Sequence, residues 1–346
     1  MKNNQRILVA MSGGVDSSVA AAVLLDQGYE VVGVTMKLWG GASDTGCCSV
    51  SDVIDARRVA DQLGIQHHVF NFGDEFDTHV VNPYVDAHKI GETPNPCIEC
   101  NRHVKFDKLF RRATALGFDL IATGHHAQIV SQSEGLRLSR SVDLNKDQSY
   151  VLHMLNEAQL ARLKLPIGNL TKEKVREIAA SLSLQTAEKA DSQDVCFISR
   201  TKGGRQRFLE QHMVMTPGQV IDTQGKRIAN VPAVQMVTIG QRKGLGVSGV
   251  GEPQYAVDVN VESATVTTGP KTDLYCDQTL ITDIQWVGEP IADSLEIQTS
   301  AHGRTAQAKV IDKIYWEKPH RKIAPGQSAV FYSEDKVVGS GIVSRS

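Results

Sequence analysis

"RILVAMSGGVDSSVAAAVLLDQG", residues 6–28, decides the fold. After Arg6 the run to Met11 is continuously apolar, as expected of a strand covered on both faces. The Ala/Val/Leu-rich run that follows predicts a helix, with Gly28 as its C-terminal cap. Between them stands "AMSGGVDSS" (Ala10 to Ser18). Two glycines let the backbone turn tightly, so that successive N–H groups point into one concavity at the positive end of the helix. Ser12, Ser17 and Ser18 add hydroxyl donors, and Asp16 can hold a Mg²⁺ ion or cap the helix. Such a loop suits a pyrophosphate. A plain glycine turn with a Ser/Asp cap is the competing reading. Position favours the ligand, because open α/β sheets bind at the carboxyl ends of their strands.

Outward from this stretch, strands and helices alternate. "EVVGVTMKLW" (30–39) reads as a second strand and "SDVIDARRVADQLG" (51–64) as a helix. "HHVFNF" (67–72) is a third strand, "KFDKLFRRATALG" (105–117) a helix, and "FDLIATGHH" (118–126) a strand running into a glycine turn. That rhythm predicts βαβ units and a parallel, Rossmann-like sheet with flanking helices. From about Thr216 the chain turns to short alternating runs with β-branched residues and turn dipeptides, which predict a mostly β half including a small β-barrel. The expected division is 1–210 (α/β), 211–274 (a small β-rich domain) and 275–346 (the barrel).

The chain has 346 residues, too many for one ordinary core. Its net charge of −2 gives no general attraction for nucleic acid. An RNA surface must therefore come from local basic clusters such as "SRTKGGRQR" (199–207), "GQRKG" (240–244) and "EKPHRK" (317–322). No apolar run is long enough for a bilayer, and the N-terminal stretch lacks the features of a signal peptide, so a cytoplasmic protein without a membrane partner is expected. Six cysteines in a reducing compartment do not suggest a disulfide framework. Cys97-x-x-Cys100 could be half a zinc site, a redox dithiol, or the housing of one nucleophilic thiol.

The loop lacks the lysine of the common phosphate-binding motif and instead resembles the "SGGxDSS" signature of the PP-loop ATP pyrophosphatases. Four further segments follow in order: "TPNPCIECNRHVKFDKL" (93–109), "IATGHHA" (121–127), "NKDQSYVL" (145–152) and "AEKADSQDVCFISR" (187–200). With "TIGQRKGLG" (238–246) and "PGQSAVFY" (325–332), they make the whole chain similar to the bacterial tRNA 2-thiouridylases.

That resemblance implies ATP-dependent replacement of the C2 oxygen of the wobble uridine, U34, by sulfur. Adenylation of the oxygen makes it a leaving group. Cys196 would carry sulfur as a persulfide, and Cys100 would attack that persulfide or assist release of its outer sulfur, leaving a disulfide for an external reductant. An ordinary thiol, with pKa ≈ 8.5, is mostly protonated near neutrality. Positive charge is therefore expected near both thiols, with Arg102, His103 and Lys105 the candidates beside Cys100. The resemblance further assigns ATP to Ala10, Met11, Ser12, Gly13, Gly14, Val15, Asp16, Ser17, Met36 and Gly124. The extruded uracil falls to Asn95, Pro96 and Cys97, with His125 beside both ligands, and nearby tRNA to Lys146, Asp147 and Gln148. The implied partners are tRNA and a persulfide donor, a cysteine desulfurase or relay protein. Mg²⁺ would accompany ATP, and no tightly bound cofactor is expected.

The chain departs from the family where many relatives have aspartate in place of Cys97, which puts the general base there in doubt. An Arg-Tyr pair is also missing near "TSAHGRTAQ", leaving His302 and Arg304 as weak tRNA candidates. Rival readings remain: structural zinc; an iron–sulfur cluster on Cys97, Cys100 and Cys196; a PP-loop amidotransferase or ligase, which would need no cysteine pair; and an RNA-binding module with a degenerate ATP site. Cys276 reads as a strand residue, and Cys47 and Cys48 as loop residues near the ATP site.

Overall fold

The computed structural model describes residues 5–38, 50–191, 195–198, 201, 203–247 and 252–345. Trp39, Cys47, Cys48, Ser192 and Gln193 lie outside the described residues. The chain forms two compact units: 1–81 with 96–199 and 335–337, and 82–95 with 200–334 and 338–346.

In the first unit the strands are β1 (Arg6–Ala10), β2 (Glu30–Lys37), β3 (Gln66–Asn71), β4 (Leu120–Thr123), the hairpin β5 (Ala127–Gln132) and β6 (Gly135–Arg140), and the two-residue β7 (Leu163–Lys164). Five of them make a parallel sheet in the order β3-β2-β1-β4-β7. The apolar run of residues 7–10 becomes the central strand, because only a strand flanked on both sides can bury every side chain. Helix α1 (Val15–Asp26) follows β1, and Gly28 closes it with its N–H bonded to Leu25 O. Helix α2 (Val50–Leu63) follows β2. The core joins Ile7 and Val9 of β1, Val19 and Leu24 of α1, Val59 of α2, and Val175 of the helix Lys172–Ser181. Placing β1 at the strand-order reversal puts the loop 11–14 at the switch point, where such sheets bind ligands.

Two features were not legible in the sequence. Residues 73–89 are helical, with a π-helical stretch at Asp77–Val81. The expected helix at 105–117 begins earlier: helix Pro96–Glu99 runs into a π-helix, Cys100–Lys108, and on into Leu109–Ala115. Proline is well placed in a first helical turn, and π-helical turns gather at functional sites. The "PCIEC" motif is therefore helical.

The second unit is mostly β. The strands β8 (Gly218–Ile221), β9 (Arg227–Val231), β10 (Tyr255–Asn260) and β11 (Thr265–Gly269) form a sheet of order β10-β11-β8-β9. Then come β12 (Tyr275–Trp286), β13 (Leu295–Gln298), β14 (Ala306–Val310), β15 (Lys313–Arg321), β16 (Ser328–Ser333) and β17 (Lys336–Val343). These run β12-β15-β14-β13-β16-β17, and β12 pairs with β17 to close a six-stranded barrel. Closure works because β12 is long: its first half pairs with β15 and its second with β17. Ile281, Ile297, Ile314, Trp316 and Phe331 fill the interior. Cys276 lies in β12, as expected, and points its thiol at His320 O, 3.5 Å away. Residues 335–337 belong to the first unit, where Lys336 pairs with Ser139 of β6.

Candidate active site

The site grows from the loop between β1 and α1. Gly13 has φ +72°, and a Cβ there would stand 2.3 Å from the carbonyl oxygen of Asp52 in α2, so only glycine fits. On the other side, a Cβ on Gly124 would stand 2.5 Å from the Ser17 amide nitrogen. The turn after β4 thus packs directly on the first turn of α1. Ser17 Oγ accepts from the Ser12 N–H at 3.2 Å, and Thr35 Oγ1 donates to Met11 O at 2.7 Å. These bonds fix the loop's shape while the first N–H groups of α1 lack partners within the helix. Met36 is buried in β2, two residues before the end of this described segment.

Asp16, in the first turn of α1, is the hub of a charge network. Both its carboxylate oxygens accept from Lys172 Nζ at 2.7 Å, and Oδ1 also meets His126 Nε2 at 3.1 Å. A carboxylate only accepts, so Nε2 carries the proton. Lys172 opens a helix capped by Thr171, and its N–H is held by Asp143. The same Nζ lies 2.8 Å from Asp191, which also pairs with Lys146 and Arg176 at 2.8 Å each. Burial raises the Asp16 pKa, but hydrogen bonds from His126 and Lys172 outweigh it and hold the carboxyl below its usual range. Asp191 is likewise raised by burial and then drawn down to about 2 by Lys146 and Lys172.

A chain of contacts joins this loop to the cysteine helix. Gln148 exchanges two bonds with the His126 backbone: its Oε1 accepts at 2.9 Å and its N–H donates at 2.8 Å. The turn Ser149–Leu152 follows, and Val151 O accepts from Asn101 Nδ2 at 2.8 Å. Asn101 neighbours Cys100, which is buried in the first turn of the π-helix. Cys97, half-buried one turn earlier, accepts from the Val195 N–H at 3.4 Å. That bond brings the segment carrying Cys196 onto the same helix, and Phe197 packs edge-on against Phe76. Val195 has φ +56°, a strained conformation for a β-branched residue. Cys196 itself is half-buried.

The other expected residues fall as follows. Lys146 is engaged by Asp191, and Asp147 turns inward to Ser149 Oγ (2.6 Å) and the Ser141 N–H (2.9 Å). Pro96 opens the cysteine helix, whereas Asn95 ends a segment of the second unit. Arg102 and His103 both pair with Glu99. Lys105 acts electrostatically on His125. His302 and Arg304 are exposed in the turn between β13 and β14. Among the described residues no group of three His, Cys, Asp or Glu side chains is gathered to hold a metal. Sequence reasoning missed Lys172, Asp191, Arg176 and His126 as members of one network. Lys172 stands 156 positions from Asp16, and no motif linked them.

His125 bonds through Nδ1 to Thr123 Oγ1 at 2.7 Å and faces Phe106. Burial, then Lys105 and His126, push its pKa down to about 3. His153, bonded to Tyr150 O at 2.8 Å, is pushed by burial to about 4. Both rings are neutral near pH 7. In the unfolded chain each would take a proton near pH 6.5, so the fold loses stability as pH falls from 6.5 toward 4. Denaturant midpoints at pH 7.0 and 4.5 will show it: His153→Asn, which keeps a donor for Tyr150 O, is expected to shrink the acid loss. An unchanged loss in that variant contradicts the assignment.

This fold and site define a nucleotide-binding α/β domain joined to β domains. A family model described as "tRNA methyl transferase HUP domain" matches residues 5–200. A "tRNA methyl transferase PRC-barrel domain" matches 206–270, and an "Aminomethyltransferase beta-barrel domain" matches 276–343. The tRNA-specific 2-thiouridylase MnmA of Chloroflexus aggregans is 43% identical over 353 residues, covering 98% of each chain. Those of Acetivibrio thermocellus and Carboxydothermus hydrogenoformans are each 41% identical, the first covering 99% of both chains, the second 99% of this one and 98% of its own. The chain belongs to the tRNA-specific 2-thiouridylase family.

Proposed function

We propose that the protein thiolates C2 of the wobble uridine, U34, of tRNA at the expense of ATP, giving 2-thiouridine, AMP and diphosphate. The observation that carries this reading is the unbroken contact chain from the phosphate loop through Asp16, His126, Gln148 and Asn101 to Cys100, Cys97 and the Cys196 segment. It supports an adenylation centre and two thiols acting on one base.

ATP is assigned to Ala10–Ser17, Met36 and Gly124, the uracil to Asn95, Pro96, Cys97 and His125, and nearby tRNA to Lys146, Asp147 and Gln148. The uracil oxygen attacks the α-phosphorus and diphosphate departs. The outer sulfur of the Cys196 persulfide then attacks C2, and AMP leaves. Cys100 thiolate attacks the inner sulfur of Cys196, whose bond to the product sulfur breaks with its electron pair. The resulting disulfide takes two electrons from an external dithiol. His125, neutral through this pH range, suits hydrogen bonding more than charge. Mg²⁺ would be held by phosphate oxygens with Asp16 alone as a protein ligand, and Lys172 already occupies that carboxylate with fixed positive charge. A persulfide-donating protein, a cytoplasmic location, no tightly bound cofactor, and the division at 1–210, 211–274 and 275–346 complete the reading. No described helix is long and apolar enough to cross a membrane.

The family-model descriptions mention methyl transfer. A glycine loop suited to a pyrophosphate, with the Cys196 segment bonded to the helix that carries Cys97 and Cys100, fits adenylation and sulfur transfer better. The test combines protein, ATP, a persulfide donor and an unmodified anticodon stem-loop RNA. AMP and 2-thiouridine should rise in equal amounts; AMP without 2-thiouridine, or neither, refutes the reading. Iron and sulfide analysis after anaerobic purification separates the persulfide route from a cluster.

A further inference from the structure

Within the second unit lies a cavity of about 380 Å³ with a strongly one-signed lining. Arg205, Arg321 and Lys322 line it, together with His320 and the polar Thr93 and Thr238, and no aspartate or glutamate does. None of the three cations forms an ion pair among the described residues. The two guanidinium groups are nevertheless held in place. Arg205 Nη2 donates to Met236 O at 3.0 Å, and Arg321 Nη2 donates to Gly240 O at 2.9 Å. The Arg321 guanidinium lies so close to Gly240 that a Cβ there would stand 2.4 Å from Nη2. The Lys322 N–H is tied to Leu274 O at 2.6 Å. Backbone carbonyls orient the two guanidinium groups without cancelling their charge, and the Lys322 bond fixes the backbone from which its ammonium extends. Thr93 Oγ1 is buried at the lining and has no hydrogen-bond partner.

Two held guanidinium groups and an ammonium, lining one cavity with no carboxylate among the lining residues, are the donor set for a tetrahedral oxyanion. We propose that this cavity takes one backbone phosphate of the tRNA, outside the reacting nucleotide, and so helps to hold the substrate by its sugar–phosphate chain. The inference rests on the thiolation reading for the identity of the polyanion. It also resolves a tension in the sequence: a chain of net charge −2 must bind RNA through local clusters, and "EKPHRK" supplies two members of this one. A phosphate contact positions RNA without reading its bases, so the effect should be uniform across tRNA sequences.

The test uses the full-length chain and an unmodified tRNA transcript, with affinity measured across a salt series. The double variant Arg321→Gln/Lys322→Gln is expected to bind tRNA about tenfold more weakly. The slope of log K against log salt should shrink by about one. The kinetic loss should fall on KM for tRNA rather than on kcat or the KM for ATP. Lys322→Gln alone, at a half-exposed site, guards against misfolding, and Lys322→Arg should restore affinity. Unchanged tRNA affinity and slope in variants that fold normally overturn the proposal. So does a Lys322-dependent stabilisation by inorganic phosphate with tRNA binding intact, which would make the cavity a free-anion site. Wild-type protein that binds no tRNA refutes the functional reading itself, and this inference with it.

Discussion

With a persulfide donor as sulfur source, Cys196→Ser is expected to lose 2-thiouridine formation by at least about 10³-fold, because the proposed mechanism gives the sulfur-carrying role to this thiol and a serine hydroxyl cannot form a persulfide. ATP and RNA affinity should stay close to wild type, since Cys196 lies on a half-buried segment beside the cysteine helix and not in the phosphate loop. Cys100→Ser should show a loss of the same order, for a different reason: sulfur loads on Cys196 but its bond to the carrier is not broken. Trapping and mass analysis of the loaded protein separates the two, with Cys196→Ser never gaining the extra sulfur and Cys100→Ser retaining it. Cys100 is buried, so a serine hydroxyl there costs stability unless it finds a partner. Cys100→Ala therefore serves as the second variant, with melting curves alongside. Wild-type rates in either single variant would end the two-thiol mechanism. A PP-loop ligase acting on another substrate would tolerate both changes.

The second large effect is expected from Lys172→Met. The ammonium sits 2.7 Å from both oxygens of Asp16 and 2.8 Å from Asp191, with only 10% of the side chain exposed. Removing it leaves two carboxylates facing each other with less compensation, a change that costs about 3 kcal/mol when a buried pair is broken from one side. The Asp16 carboxyl should also titrate at higher pH, because one of its two lowering partners is gone. ATP affinity is expected to fall at least about tenfold, through the lost positive charge and the looser first turn of α1. Chemical denaturation and equilibrium ATP binding measure the two losses. The double variant Asp16→Asn/Lys172→Met should be less destabilised than the sum of the singles, since the two groups share one interaction. A Lys172→Met protein with wild-type stability and ATP affinity would remove the network from both roles.

Reading the sequence alone placed the parallel sheet and the glycine turn between β1 and α1 correctly, because buried strands leave continuous apolar runs such as residues 7–10 and tight turns leave glycines. The six-stranded barrel was legible as a class, but Leu295–Gln298 was not seen as a strand: four residues carry too little alternation. The helical state of residues 96–104 was hidden by its polar character and by the "TPNP" lead-in, which reads as a turn. The charge network was invisible for a different reason. Asp16, His126, Lys172 and Asp191 are brought together by strand order, and contacts between residues so far apart leave no spacing to recognise. The Lys146–Gln148 stretch was found by motif. Its bonds to His126 and Asp191 show that it braces the loop, a role that the motif did not reveal.

The path of the chain between its two units bears on how the molecule is made. Residues 82–95 leave the first unit before it is finished, and residues 335–337 return to it after most of the second unit has been traversed. A nascent polypeptide emerging from the ribosome can therefore build the central sheet early, but Ser139 waits for Lys336, 197 residues further along the chain, before it is paired. The barrel waits as well, since Ile281 is closed against Val343. A translation pause or premature termination before residues 335–343 are made should accordingly leave both units unsealed together, exposing them to proteolysis as a pair.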